Sequence, residues 1–237
     1  DKVEQYYAEV RGNAKTPELL RLLNEKQFGV SLVFVATKAM ADSLAKQLTE
    51  ADHPADAIHG DLAQSQRNRV MQRYRDGRVK ILVATDVAAR GIDVNGIDAV
   101  INYDIPGDAD SYVHRIGRTG RAGNSGTAIT FISSSDYRQF GSLQRQIKPD
   151  IKKVAIPTVQ DVIEVKKGKI REDLAEIIET ENYDEYLDMA REMLENQDPE
   201  IALASLLRLA FKNELEESNY PEIRSINVDR RGTARLF

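Results

Sequence analysis

Ser31-Leu32-Val33-Phe34-Val35-Ala36 narrows the folds open to this chain more than any other stretch. After the serine every side chain is apolar, with β-branched and aromatic members. A strand with one wet face would alternate, so a continuous run suits a strand buried on both faces of a parallel sheet. Its surroundings repeat the theme. Residues 1–11 read as a strand in which Val3, Tyr6 and Ala8 alternate imperfectly with polar residues. Pro17 opens a helix carrying Leu19, Leu20, Leu22 and Leu23, with Lys15 and Thr16 ahead of it as cap. The pattern then predicts a helix over 40–50, a strand over 55–58, a helix over 62–76 and strands over 80–84 and 97–103. A short helix over 111–116, a strand over 126–132 and a helix over 135–147 follow. Strand and helix alternating across short loops predict a doubly wound α/β sheet with helices on both faces. Functional residues of such sheets gather at the carboxyl ends of the strands. Thr37, Gly60, Thr85-Asp86, Asp104 and the octet 114–121 are expected there.

That octet, His114-Arg115-Ile116-Gly117-Arg118-Thr119-Gly120-Arg121, brings three guanidinium groups and two glycines together. Guanidinium stays charged and its flat fork matches phosphate oxygens, while glycines allow the tight turn that would converge the forks. Arg118 and Arg121 therefore read as arginine fingers for a transferring phosphoryl group. In Ala84-Thr85-Asp86-Val87-Ala88-Ala89-Arg90-Gly91-Ile92-Asp93, Thr85 is a candidate phosphate donor, Asp93 a candidate acceptor from a ribose hydroxyl and Asp86 a helix N-cap. Arg67, at the front of a basic helix just after His59-Gly60, reads as a phosphate contact. Arg69, Arg73 and Arg75 on the same helix read as a solvated basic face.

The order of these motifs, from 32–38 through His59-Gly60-Asp61 with Gln64 and Arg67, 84–93, Asn102-Tyr103-Asp104 and 114–121, resembles the second RecA-like domain of DEAD-box ATP-dependent RNA helicases over roughly residues 1–155. The resemblance implies a RecA-like doubly wound parallel sheet. It implies that Arg118 and Arg121 reach the γ-phosphate of ATP held by another, N-terminal RecA-like domain, and that Asp93 touches the ATP ribose or helps couple the sites. His114 would couple to that partner domain and Asp104 would support the arginines. Thr37, Gly60, Arg67 and Thr85 would hold RNA phosphates. The 237 residues contain no Gly-x4-Gly-Lys-Ser/Thr and no Asp-Glu-Ala-Asp. A phosphate cradle and a magnesium carboxylate are needed for hydrolysis. ATP and Mg2+ are thus expected to be held mainly by the other domain, with no metal site here and no activity from this part alone.

The charge divides the chain further. Residues 1–170 carry 25 Lys and Arg against 21 Asp and Glu, residues 171–222 carry 4 against 16, and residues 223–237 carry 4 against 1. So acidic a stretch would repel nucleic acid and points to a different partner. Pro157 and residues 159–165 read as part of an extended linker over 156–170. An all-α module over 171–222 follows, with helices over 171–179, from 182 or 184 to 194, and from Asp198-Pro199 to 211. It resembles the dimerisation module of bacterial cold-shock-type DEAD-box helicases, which implies a homodimer. Its wide apolar surface reads equally as a partner surface or as the interior of a compact bundle. Residues 223–237 read as a linker and the start of a strand whose domain is cut away, and the resemblance implies that this is the RNA-binding domain that follows in those helicases. Cysteine is absent, excluding disulfides and thiol chemistry, and no apolar run is long enough to span a bilayer. A cytoplasmic enzyme unwinding short RNA duplexes is expected, with a stand-alone dimerising scaffold as the alternative.

Overall fold

The computed structural model describes residues 2–220 apart from 27, 91, 93, 95, 122, 148–150, 181 and 182. Asp93 and the segment 223–237 therefore lie outside the described residues. The chain divides into two compact units, residues 1–157 and 158–237.

The first unit is a parallel sheet. Its strands are β1 (Lys2–Glu9), β2 (Ser31–Phe34), β3 (Ala55–Ile58), β4 (Ile81–Ala84), β5 (Ala99–Asn102), β6 (Ser125–Ile132) and β7 (Lys152–Lys153). They lie in the order β3-β4-β2-β5-β6-β1-β7, every pair parallel. The two-residue β7 has no counterpart in the sequence reading. Register explains the apolar runs. Val33 lies beside Val83 and Ile101, and Ile101 beside Ile129; these side chains face α1 (Lys15–Lys26) and α2 (Lys38–Glu50). One residue earlier, Leu32, Leu82, Val100 and Ala128 point to the opposite face. There α3 (Gln64–Arg75) and α4 (Asp86–Ala89) cover one part through Met71, Ala88 and Ala89. The helices α5 (Ala109–Ile116) and α6 (Tyr137–Gln146) cover the rest through Tyr112, Ile116, Phe140 and Leu143. With helices on both faces, alternation has no solvent side to mark.

Helix α1 begins at Lys15, two residues before Pro17. Proline is tolerated in a first turn, where the missing N–H would have had no helical acceptor.

The second unit consists of α7 (Val159–Glu179), α8 (Leu187–Leu194) and α9 (Pro199–Leu215). Residues 159–165 are not an extended linker: they are the first turns of α7, which continues without a break through 171–179. Thr158 Oγ1 accepts from Asp161 N–H at 3.2 Å and Asp161 Oδ2 accepts from Thr158 N–H at 2.8 Å, closing a capping box that β-branched composition does not outweigh. Asp198 caps α9 as expected, accepting from the Glu200 and Ile201 amides at 2.8 and 3.2 Å with Pro199 in the first turn. Neither α8 nor α9 contains a buried residue. Leu203, Leu206 and Leu209 of α9 and Met189 and Met193 of α8 are exposed, so this apolar surface does not form the interior of a compact bundle.

Candidate functional site

Four adjacent strands end level with one another. Ile58, Ala84, Phe34 and Asn102 are register partners across β3, β4, β2 and β5. The residues just beyond these ends, Gly60, Thr85, Thr37 and Asp104, therefore form a row along the carboxyl edge, at roughly 4.8 Å per strand. Thr37 is exposed and caps α2, its Oγ1 accepting from Met40 N–H at 3.2 Å. Gly60 is exposed, and a Cβ there would meet only Lys38 Cε at 3.8 Å, an ordinary contact, so packing within the chain does not demand glycine. Lys38 pairs with Asp61, which holds that carboxyl below its ordinary range. Thr85 is buried and occupies the N-cap position of α4 without a side-chain cap bond. Arg67 is half-buried and donates Nη2 to the Ala88 carbonyl, fastening α3 to α4.

One expectation is corrected here and one is narrowed. Asp86 is not the N-cap but the first residue of α4, and its carboxylate is engaged elsewhere. The Asp104 carboxylate does not reach Arg118 or Arg121. Its Oδ1 lies 2.8 Å from Lys15 Nζ and its Oδ2 accepts from Ala36 N–H at 2.9 Å; only its backbone carbonyl touches an arginine, accepting from Arg115 Nη1 at 2.7 Å.

The three arginines of the octet are engaged differently. Arg115 is 3% exposed and points into the unit. Its Nε and Nη2 donate to Asp86 Oδ1 and Oδ2 at 2.7 and 2.8 Å, and its Nη1 donates to Asn102 Oδ1 at 3.1 Å as well as to the Asp104 carbonyl. Its guanidinium also lies 4.9 Å from the centre of the Phe34 ring. This residue joins β2, α4, β5 and α5. Its signal in the sequence is only its place next to Ile116 on the buried side of a short helix.

Arg118 and Arg121 lie differently. Arg118 is half-buried and donates Nη1 to the Ile92 carbonyl at 3.4 Å; Arg121 is exposed and donates Nε to the Gly117 carbonyl at 2.6 Å. Among the described residues neither pairs with a carboxylate. Burial first, and then the like charge of Arg121, lower the pKa of Arg118. Arg118 and the exposed His114 line a shallow cleft with Phe34, Asp86, Arg90 and Ser111. Among the described residues no three His, Asp or Glu side chains form a set able to hold a metal ion.

The octet also leaves the carboxyl edge, contrary to expectation. Its start adjoins the row through Arg115, but Thr119 Oγ1 donates to the Ile97 carbonyl, just before β5, at 2.5 Å. A Cβ on Gly126, at the start of β6, would lie 2.2 Å from Thr119 Oγ1 and 2.5 Å from Gly120 N. Gly120 itself has φ +68°, the left-handed region that favours glycine. Helix α5 thus carries the octet across the sheet to the amino-terminal ends of β5 and β6. Arg121 follows Gly120 at that end, whereas the Arg118 side chain lines the cleft it shares with Phe34 and Asp86.

Comparison with known proteins assigns residues 14–123 to the family described as the helicase conserved C-terminal domain and residues 157–222 to the RNA helicase DeaD dimerization domain. The DEAD-box ATP-dependent RNA helicase CshA of Geobacillus kaustophilus is 41% identical over 207 residues, 87% of this chain and 44% of the relative. Among solved structures, the E. coli DEAD-box protein SrmB, bound to regulator of ribonuclease activity A, is 38% identical with a TM-score of 0.62. That match covers 68% of this chain and 94% of that one. S. cerevisiae Dbp5, bound to RNA and ADP BeF3, is 34% identical with a TM-score of 0.62, covering 70% of this chain and 45% of that one. The chain spans less than half the length of the CshA relative.

Proposed function

The chain belongs to the DEAD-box ATP-dependent RNA helicases, with a helicase C-terminal domain followed by a DeaD dimerisation domain, and from that premise we propose that it supplies the arginine fingers and half of the RNA groove of an enzyme that parts short RNA duplexes. The observation that carries the proposal is the division of labour among three arginines. Arg115 is engaged by an internal carboxylate, whereas among the described residues Arg118 and Arg121 are held through backbone carbonyls. Guanidinium groups so placed are set for phosphate oxygens.

ATP with Mg2+, held by the P-loop and acidic box of a second RecA-like domain, supplies the phosphoryl group to be transferred. Within this chain, Arg118 and Arg121 bind the oxygens of the terminal phosphate and stabilise the charge that grows on them. Asp93 receives the ribose, and His114, exposed beside Arg118, meets the facing domain. Thr37, Gly60, Arg67 and Thr85 hold successive phosphates of one RNA strand. Contacts of that kind position the strand without reading bases, which suits action on any sequence. Asp104 couples the two sides: its carboxylate fastens the Ala36–Thr37 turn and its carbonyl fastens Arg115, which also grips Asp86 next to Thr85. The exposed apolar faces of α8 and α9 form the homodimer contact.

Arg121→Ala in the protein carrying both RecA-like domains tests this reading. RNA-stimulated ATP hydrolysis is expected to fall about 10³-fold or more, with RNA affinity kept within about twofold, because Arg121 lies off the row. Wild-type turnover in that variant would refute the finger assignment.

A further inference from the structure

Lys15 carries no motif of its own, yet its ammonium stands at the end of the row. Nζ is 2.8 Å from Asp104 Oδ1 and 5.3 Å from the centre of the Tyr103 ring. Only 13% of the lysine side chain and 25% of the aspartate side chain are exposed. The neighbouring Thr16 hydroxyl shares a 2.9 Å hydrogen bond with the Tyr103 hydroxyl, so two consecutive residues pin the start of α1 to the end of β5. The other Asp104 oxygen accepts from Ala36 N–H at 2.9 Å, and the next residue is Thr37, exposed at the cap of α2. One cation therefore holds one carboxylate in the orientation that fastens the backbone immediately ahead of Thr37. A carboxylate largely withdrawn from water keeps such an orientation only while its charge is matched. Without the ammonium it turns outward and releases the Ala36 amide.

We propose that Lys15 is a positioning residue for RNA: through Asp104 it sets the Ala36–Thr37 turn so that Thr37 meets a phosphate. The inference rests on the assignment of Thr37 to RNA made above. Lys15 does not itself touch the strand, because its ammonium is already engaged.

The test is RNA-stimulated ATP hydrolysis by the protein carrying both RecA-like domains, with single-stranded oligouridine as the probe. Lys15→Met is expected to raise the RNA concentration for half-maximal rate about tenfold, with the rate at saturating RNA kept within about twofold. Lys15→Arg, which keeps the charge, restores it. The dependence of RNA affinity on salt keeps the wild-type slope, whereas a lysine bound directly to phosphate would lower that slope by about one on removal. A lowered slope, or a loss confined to the saturated rate, overturns the proposal. Thr37→Val separates the two layers. If it leaves half-saturation unmoved, the RNA assignment of Thr37 fails. If it raises half-saturation while Lys15→Met does not, only the role of Lys15 fails. The double variant is expected to cost no more than the larger single one, and additive costs would overturn the link. Should Lys15→Met not fold, Asp104→Asn is expected to give the same rise, and its absence counts equally against the proposal.

Discussion

The Asp86–Arg115 pair makes a prediction whose direction runs against intuition: removing the more exposed partner costs more. Arg115 is 3% exposed and Asp86 38%. In Asp86→Ala the guanidinium stays buried, and the Nε and Nη2 protons that had met carboxylate oxygens at 2.7 and 2.8 Å lose their acceptors. Breaking a buried pair on one side costs about 3–5 kcal/mol. Asp86's partial access to water places this variant near the low end, at about 3 kcal/mol. In Arg115→Met the carboxylate left behind is solvated, and a thioether of similar length fills the space against Phe34. What remains is the loss of donors to Asn102 Oδ1 and the Asp104 carbonyl, about 1–2 kcal/mol. Urea-dependent hydrogen exchange at the β5 amides, Ala99–Asn102, reports opening of the sheet unit separately from the helical unit. The expected order is wild type, Arg115→Met, Asp86→Ala, in falling stability. Equal costs, the reverse order, or both losses below about 0.5 kcal/mol would refute the reasoning, because the pair would then be behaving as a surface pair.

Glu18 is buried in α1 and its carboxyl is pushed up to about 6, by burial first, against the opposing Arg11 backbone amide and the charges of Arg21 and Arg11. Between about pH 4.5 and 6 the folded chain keeps a proton that the unfolded chain has released, so stability falls as pH rises through that window. Glu18→Gln is accordingly expected to stabilise the sheet unit at pH 7.5 by about 1–2 kcal/mol and to give no gain at pH 4; a gain independent of pH in urea unfolding would contradict this. Leu209 is 79% exposed on α9. The chain is expected to sediment as a dimer at micromolar concentration and the Leu209→Asp variant as a monomer of unchanged helicity. An unaltered mass would remove α9 from the dimer contact.

Local chemistry made much of the site legible. Thr37, Gly60, Thr85 and Asp104 each follow an apolar run, and register then sets them side by side. The capping box at Thr158 and Asp161 was equally legible as Thr-x-x-Asp, but the β-branched residues after it resembled an extended segment. The three arginines were a different matter. Arg115, Arg118 and Arg121 are chemically identical and occupy one octet, and within it only the place of Arg115 next to Ile116 hints at which charge is buried. That is decided by Asp86, 29 residues earlier, meeting Arg115 with two hydrogen bonds.

By itself the sequence determined the strand and helix alternation, the row of polar residues beyond the strands, and the separate acidic helical unit. Those depend on neighbours along the chain and on side-chain type. Only the tertiary structure decided the strand order, the octet's path from the carboxyl ends of the strands to the amino-terminal ends of β5 and β6, the engagement of Asp104 by Lys15, and which arginine of the octet is taken by a buried carboxylate pair. The last two depend on which distant group arrives beside a charge, and a charge withdrawn from water is governed by its nearest partner rather than by its place in the chain.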